Sequence, residues 1–242
     1  MDIETASRVM RTYGQNPISR EIDPSDEMWT TGPDWYWDVG RDGLNCLIKG
    51  LLNSPIPEPR SILDLACGYG RVGRHIAAAF PATRLIWCDV EGPEFCAKAF
   101  GGEAVLSQHE LLNVEVPAVD AIWVGSLFTH VPEDRARSWL THITASLNPG
   151  GAMVATFHGR VTSELYRSAQ LGMTPILDRI EPQCAADGWG FEPYGDDPRW
   201  GFSISDIGHL ATIAAETPNT KIGGLIEGGW AANHDVLTLV SH

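Results

Sequence analysis

The stretch Ser61–Phe80 limits most tightly what this chain can fold into. Ile62, Leu63 and Leu65 form a short apolar run broken only by Asp64, and Gly68 and Gly70 then interrupt it. Beyond the glycines, Val72, Ile76, Ala77 and Phe80 recur at i, i+4, i+5 and i+8, the spacing of one buried helix face. The pattern predicts a buried strand, a tight glycine turn and a helix. Such a turn lets a ligand approach the backbone closely, and the unpaired N–H groups of the helix start favour an anionic group. Asp64 falls near the strand's carboxyl end, the edge where open α/β sheets take ligands.

Two ligand classes share these letters. Gly68-Tyr69-Gly70-Arg71-Val72-Gly73 is a literal G-x-G-x-x-G, and Asp89 stands about 20 residues on, as in a dinucleotide site. Asp64-Leu65-Ala66-Cys67-Gly68-Tyr69-Gly70 also resembles the first motif of class I S-adenosylmethionine (SAM)-dependent methyltransferases, acid-x-Gly-x-Gly-x-Gly. The acid before the glycines favours SAM. It suits the cofactor's amino group, whereas a pyrophosphate gains nothing from it. Ala66 stands where that family usually has Gly, and a negative φ is expected there if a side chain is to be tolerated.

The next elements extend the resemblance. Arg84–Asp89 reads as a second buried strand ending in an acid, whose two oxygens can accept both ribose hydroxyls. Ala104–Leu106 is a short third strand. Many family members follow it with an Asp for the adenine amino group; here Ser107-Gln108-His109-Glu110 follows, so Gln108 or the local backbone is expected to serve, with His109 a further neighbour. Val119–Gly125 is the fourth strand, with Asp120 at its start in a structural role. A helix with Pro132 at its first position follows, then a turn at Asn148–Gly151 and a fifth strand at Ala152–Phe157. Gly125–Asp134, Leu147–Gly151 and Ala155–Gly159 together resemble a bacterial methyltransferase subgroup with a Phe-Thr-His stretch after the fourth strand. The resemblance implies an α/β, Rossmann-like sheet, mostly parallel with an antiparallel C-terminal strand and helices on both faces. It also implies SAM as cofactor, contacted by Asp64, Ala66, Gly68, Gly70, Asp89, Val90 and Gln108.

The chain divides into one domain with additions. Residues 1–59 carry helical patterns at 3–13 and 38–52, with Trp29, Trp35, Tyr36 and Trp37 between them. This segment reads either as an anchored N-terminal helix or as a helical lid, from which Tyr36 and Arg41 would touch SAM. Residues 60–159 form the SAM-binding core. Residues 160–202 are long for a connection and read as a cap over the substrate, with a helix at 161–171 and Trp189, Phe191, Tyr194 and Trp200 beyond it. Residues 203–242 supply a helix at 205–216 and terminal strands at 222–226 and 236–240.

Composition narrows the partners. Thirty-one acidic against seventeen basic residues give a formal charge of −14, which repels polyphosphate and argues against nucleic acid as substrate. No apolar run reaches the roughly 18 residues of a membrane span, and the N-terminus lacks the pattern of a signal peptide. Five cysteines without C-x-x-C pairing suggest a reducing cytoplasm and no zinc site. No metal is expected. Metal-dependent members of the family place an Asp after the fourth strand, and Gly125-Ser126-Leu127 offers no carboxylate.

Methyl transfer from SAM requires a collinear nucleophile, exclusion of water and, for a hydroxyl, a base. His130 is the first candidate for that base and His158 the second, both near carboxyl ends of central strands, although either could be a structural hydrogen-bonding group. The expected activity is methylation, preferably at oxygen, of a small molecule or a glycan-type acceptor. A non-catalytic SAM-fold accessory protein and a nicotinamide-dependent oxidoreductase are the alternatives.

Overall fold

A computed structural model describes residues 1–169 and 171–242. Helices α1 (Ile3–Gln15), α2 (Glu27–Thr31) and α3 (Pro33–Leu51) precede the core. The core alternates β1 (Ser61–Leu65), α4 (Gly73–Ala79), β2 (Arg84–Asp89), α5 (Pro93–Phe100), β3 (Glu103–Leu106), β4 (Val119–Val124), α6 (Glu133–Thr144) and β5 (Leu147–Phe157). Then come α7 (Arg160–Ser168), α8 (Thr174–Asp187), β6 (Trp189–Pro193), β7 (Gly201–Ser205), α9 (Ile207–Glu216), β8 (Thr220–Trp230) and β9 (His234–Ser241).

Seven strands form one sheet in the order β3-β2-β1-β4-β5-β9-β8. β1 to β5 are parallel, and β9 runs antiparallel to both β5 and β8. Strands buried on both faces are expected to read as apolar runs, and every residue of β1 and β4 is indeed buried. Alternation along β1 sends Leu63 and Leu65 into the core under α6 and α9. Ile62 packs on the opposite face, with α1, α3 and α4. Strand order reverses at β1 and β4, so the crevice at their carboxyl ends is the place for a ligand.

Asp120 serves the other end of the sheet. Its carboxylate accepts from the Arg60 N–H at 2.7 Å and from Asn148 Nδ2 at 2.7 Å, beside a register shift in the β4–β5 pairing. Leu147 already pairs with Val119, so the segment expected as a turn at 148–151 is the start of β5, with Gly150 at φ +79°. Leu52, the last residue of the helical pattern expected at 38–52, lies past the end of α3 and is exposed.

Residues between β5 and α9 are more structured than their sequence suggested. α8 and the β6–β7 hairpin were not anticipated, and β7 crosses the expected boundary at 202/203. Leu177, Ile180, Phe202 and Ile204 give this region a small core of its own. Among the described residues, no helix is long and apolar enough to cross a membrane.

Candidate active site

A cleft of about 380 Å³ opens at the carboxyl ends of β1, β2 and β4. Asp64, Ala66 and Gly68 line it from β1 and the glycine loop, Asp89 from β2, and Gly125, Ser126 and His130 from the end of β4 and the turn after it. A smaller cavity of about 60 Å³ adjoins it and shares Ala66, Asp89 and Leu127; Val90, Gln108, His109, Trp139 and Trp200 complete its wall.

Asp64 is 2 % exposed, and its Oδ2 has no hydrogen-bond partner. Burial, and secondarily the charge of Asp89, push its pKa well above the usual carboxylate range. A buried carboxylate oxygen without a donor is costly unless something arrives to pair with it. Asp89 is better supported: Oδ2 accepts from the Gly68 N–H at 2.7 Å and Oδ1 from the Val90 N–H at 2.7 Å. Burial raises its pKa against the opposing pull of these bonds. The two backbone donors orient the carboxylate and leave acceptor capacity on each oxygen for a diol.

Ala66 corrects one expectation. Its φ is +64°, in the left-handed region, while its N–H donates to the Cys88 carbonyl at 2.8 Å. The loop keeps the conformation that a glycine would take there, at the cost of a crowded Cβ. Ser126 is a second non-glycine at positive φ, +61°, held by its N–H to Thr156 Oγ1 at 2.8 Å. Strain of this kind on the cleft wall is typical of functional sites. Gly70 does not line the cleft; at φ +77°, any Cβ would overlap the Phe100 ring.

Tyr36 and Arg41 are not brought to the cofactor cleft. Tyr36 is fully buried, donating to Asp26 Oδ2 at 2.6 Å and accepting from Arg74 at 3.2 Å. Arg41 faces a separate cavity and pairs with Asp38 at 2.8 Å. The N-terminal segment reaches the cleft through Asp26 and Met28 instead.

Two arginines of the organising stretch escaped the sequence reading. Arg71 lines the cleft, its guanidinium 5.5 Å from the Trp230 ring and 5.7 Å from Trp35, with burial lowering its pKa. Arg74 is 1 % exposed and donates to the carbonyls of Ser19, Glu21, Tyr69 and Gly70, binding the N-terminal segment to the glycine loop. The only signal in the sequence was their place directly after the glycines.

His130 lies on the cleft wall and His158 behind it. The His130 Nδ1 contacts the Tyr194 hydroxyl at 2.6 Å and the Gly201 carbonyl at 3.3 Å, and burial lowers its pKa. His158 is 4 % exposed, stacks on Phe202 and holds the Ser203 carbonyl through Nδ1 at 3.2 Å. Burial, with His234 and His130 nearby, pushes its pKa well down. It is placed to support β7 rather than to meet a ligand.

Comparison with known proteins agrees with the fold. Residues 63–153 match the model of a methyltransferase domain family. A 1,6-didemethyltoxoflavin-N1-methyltransferase from Burkholderia thailandensis, solved with 1,6-didemethyltoxoflavin and S-adenosylhomocysteine, superimposes with a TM-score of 0.60 at 15% identity, covering 98% of this chain and 86% of that one. The N-methyltransferase NodS of Bradyrhizobium japonicum, in complex with S-adenosylhomocysteine, gives 0.54 at 12% identity and covers 98% of both chains. Human N-acetylserotonin methyltransferase, in complex with SAM, gives 0.53 at 13% identity over 98% of this chain, which spans only 66% of that protein. No curated protein matches the sequence. The matched family, the Rossmann-like sheet and the paired cavities define the core as a class I SAM-dependent methyltransferase domain. The core spanning residues 63–153 is thus that of an enzyme of this class, for which the cofactor is SAM.

Proposed function

We propose that the chain methylates a hydroxyl group of a small molecule or sugar-containing metabolite in the cytoplasm, with His130 as general base. The observation that carries this is the place of His130. It is an imidazole on the wall of the cofactor cleft, kept neutral by burial, with Nδ1 occupied. A neutral imidazole can take the proton that a hydroxyl loses as it is methylated.

The cleft fits the cofactor's charges. Asp64 offers an unpaired carboxylate oxygen for the amino group, and Arg71 a guanidinium for the carboxylate. Asp89 would take the ribose hydroxyls, and the cavity lined by Val90, Gln108 and Trp200 the adenine, with Ala66 and Gly68 against the chain between them. When bound, SAM supplies a methyl carbon already activated by its sulfonium. The protein's own part is to hold the acceptor in line, exclude water and accept one proton at His130. Residues 1–59 act as a lid and the region after β5 as a substrate cap. Small-molecule acceptors suit this arrangement. Solved structures of similar fold hold 1,6-didemethyltoxoflavin and, in a Planctomyces limnophilus O-methyltransferase family 2 protein, apigenin.

Calorimetry with S-adenosylhomocysteine should give a Kd on the order of micromolar. Turnover of methyl-labelled SAM against catechol and methyl glucosides, with product analysis, reads the acceptor atom. His130→Asn should lose roughly 100-fold in rate with S-adenosylhomocysteine affinity unchanged. Folded protein that binds no S-adenosylhomocysteine would overturn the proposal and favour an accessory role. Methylation at nitrogen alone would overturn the choice of oxygen.

A further inference from the structure

Both polar contacts of the His130 ring come from outside the core. Tyr194 directly follows β6, and Gly201 opens β7, so the cap hairpin supplies both groups that meet Nδ1. The Gly201 carbonyl can only accept, so it favours a proton on Nδ1 and leaves the Nε2 lone pair free. The hairpin is itself pinned to the core. Ser203 Oγ donates to the Phe128 carbonyl at 3.0 Å, on the turn that carries His130. Arg135 of α6 donates to the Arg199 carbonyl at 2.8 Å, its guanidinium 4.9 Å from the Trp200 ring.

We propose that Tyr194 is a positioning residue that fixes the Nδ1–H tautomer and ring orientation of His130, so that seating of the cap hairpin prepares the base. This rests on the reading of His130 as base. With the proton on Nδ1, as the Gly201 carbonyl favours, the Tyr194 hydroxyl 2.6 Å away accepts from Nδ1–H, and the bond strengthens as the ring becomes imidazolium. An acceptor that favours the charged form raises basicity at Nε2. The other groups facing His130 act less directly. The His158 ring at the end of β5 lies 6.4 Å away, with His234 of β9 behind it. Arg71, Asp64, Asp89 and Asp26 line the same cleft. His158 and His234 are neutral near pH 7, since burial holds the first well below its ordinary value and the second at about 3.

The test is nitrogen NMR of protein labelled with 15N-histidine and saturated with S-adenosylhomocysteine, the His130 signals being assigned by their absence in His130→Asn. Wild type should show His130 as the Nδ1–H tautomer. In Tyr194→Phe the tautomers should mix, and the titration midpoint should fall by about half a pH unit or more. Tyr194 is 57% exposed, so the phenylalanine should be tolerated, and an unchanged melting temperature and S-adenosylhomocysteine affinity establish that. An unchanged tautomer and titration in Tyr194→Phe would overturn the proposal. Because the measurement needs no turnover, it is separate from the failure of His130 as base, which full activity in His130→Asn would reveal.

Discussion

The Gly68 amide donates to Asp89 Oδ2 at 2.7 Å, so the acid that ends β2 is clamped by the loop that leaves β1. The same carboxylate holds the Val90 amide through its other oxygen. Asp89 therefore shapes the loop as well as facing the cleft. Asp89→Asn removes a half-buried charge, which is favourable, and leaves one amide unpaired, which costs about 1–3 kcal/mol. These terms oppose each other, so the melting temperature should move little. S-adenosylhomocysteine affinity should fall at least roughly tenfold, because a ribose diol loses an anionic acceptor. A large loss of stability with affinity preserved would show that the residue serves the loop alone.

Asp64 predicts a pH dependence with a definite sign. Burial raises its pKa in the folded protein, so its contribution to stability is fully present below the ordinary carboxylate range and is lost as pH rises through the raised value. A bound ammonium group reverses the preference by favouring the ionised form. S-adenosylhomocysteine affinity should therefore climb as pH rises through the raised pKa of Asp64, with proton release on binding. Calorimetry in buffers of different ionisation enthalpy measures that release. Asp64→Asn should lower affinity about 30-fold at neutral pH and flatten the dependence, leaving only what Asp89 contributes.

Ala66 predicts a stabilising substitution inside the organising loop. At φ +64° an alanine bears a Cβ clash that glycine lacks. Glycine gives back part of that gain through its freer unfolded chain, so Ala66→Gly should add about 1 kcal/mol or slightly less. For a chain of 242 residues that is a rise of about 2–4 °C in melting temperature. A fall on this substitution would show that the left-handed backbone is not what limits the site.

The core was legible because its signals are local. A fully buried strand, two glycines and a helical stripe lie within twenty residues of one another, and Asp89 ends the next apolar run. The missed features depend on distant partners. Nothing local marks Arg74, whose partners Ser19, Glu21 and Tyr36 lie 55, 53 and 38 positions away. Tyr36 is expected at SAM only if the N-terminal segment is a lid; its actual place is between Asp26 and Arg74. α8 escaped because Pro175 and Pro182 read as breakers, and only Leu177 and Ile180 of the helix are buried. The contact of Tyr194 with His130 spans 64 positions and leaves no periodic trace.

Arg71 gives a prediction that separates the two ends of the cofactor. It shares the cleft with Asp64, its guanidinium 5.7 Å from the Trp35 ring and 5.5 Å from the Trp230 ring. A guanidinium held there at a desolvation cost is expected to meet an anion. The cofactor's amino acid end carries one, whereas 5′-deoxy-5′-methylthioadenosine keeps the nucleoside and lacks that end. Arg71→Met preserves an apolar stem near the two tryptophans and removes the charge. It should weaken S-adenosylhomocysteine roughly tenfold or more while leaving methylthioadenosine within about twofold. Stability of the free protein should hold or rise, since a half-buried cation held at a desolvation cost is gone. Equal weakening of both ligands would mean that Arg71 shapes the cleft instead of pairing with the carboxylate.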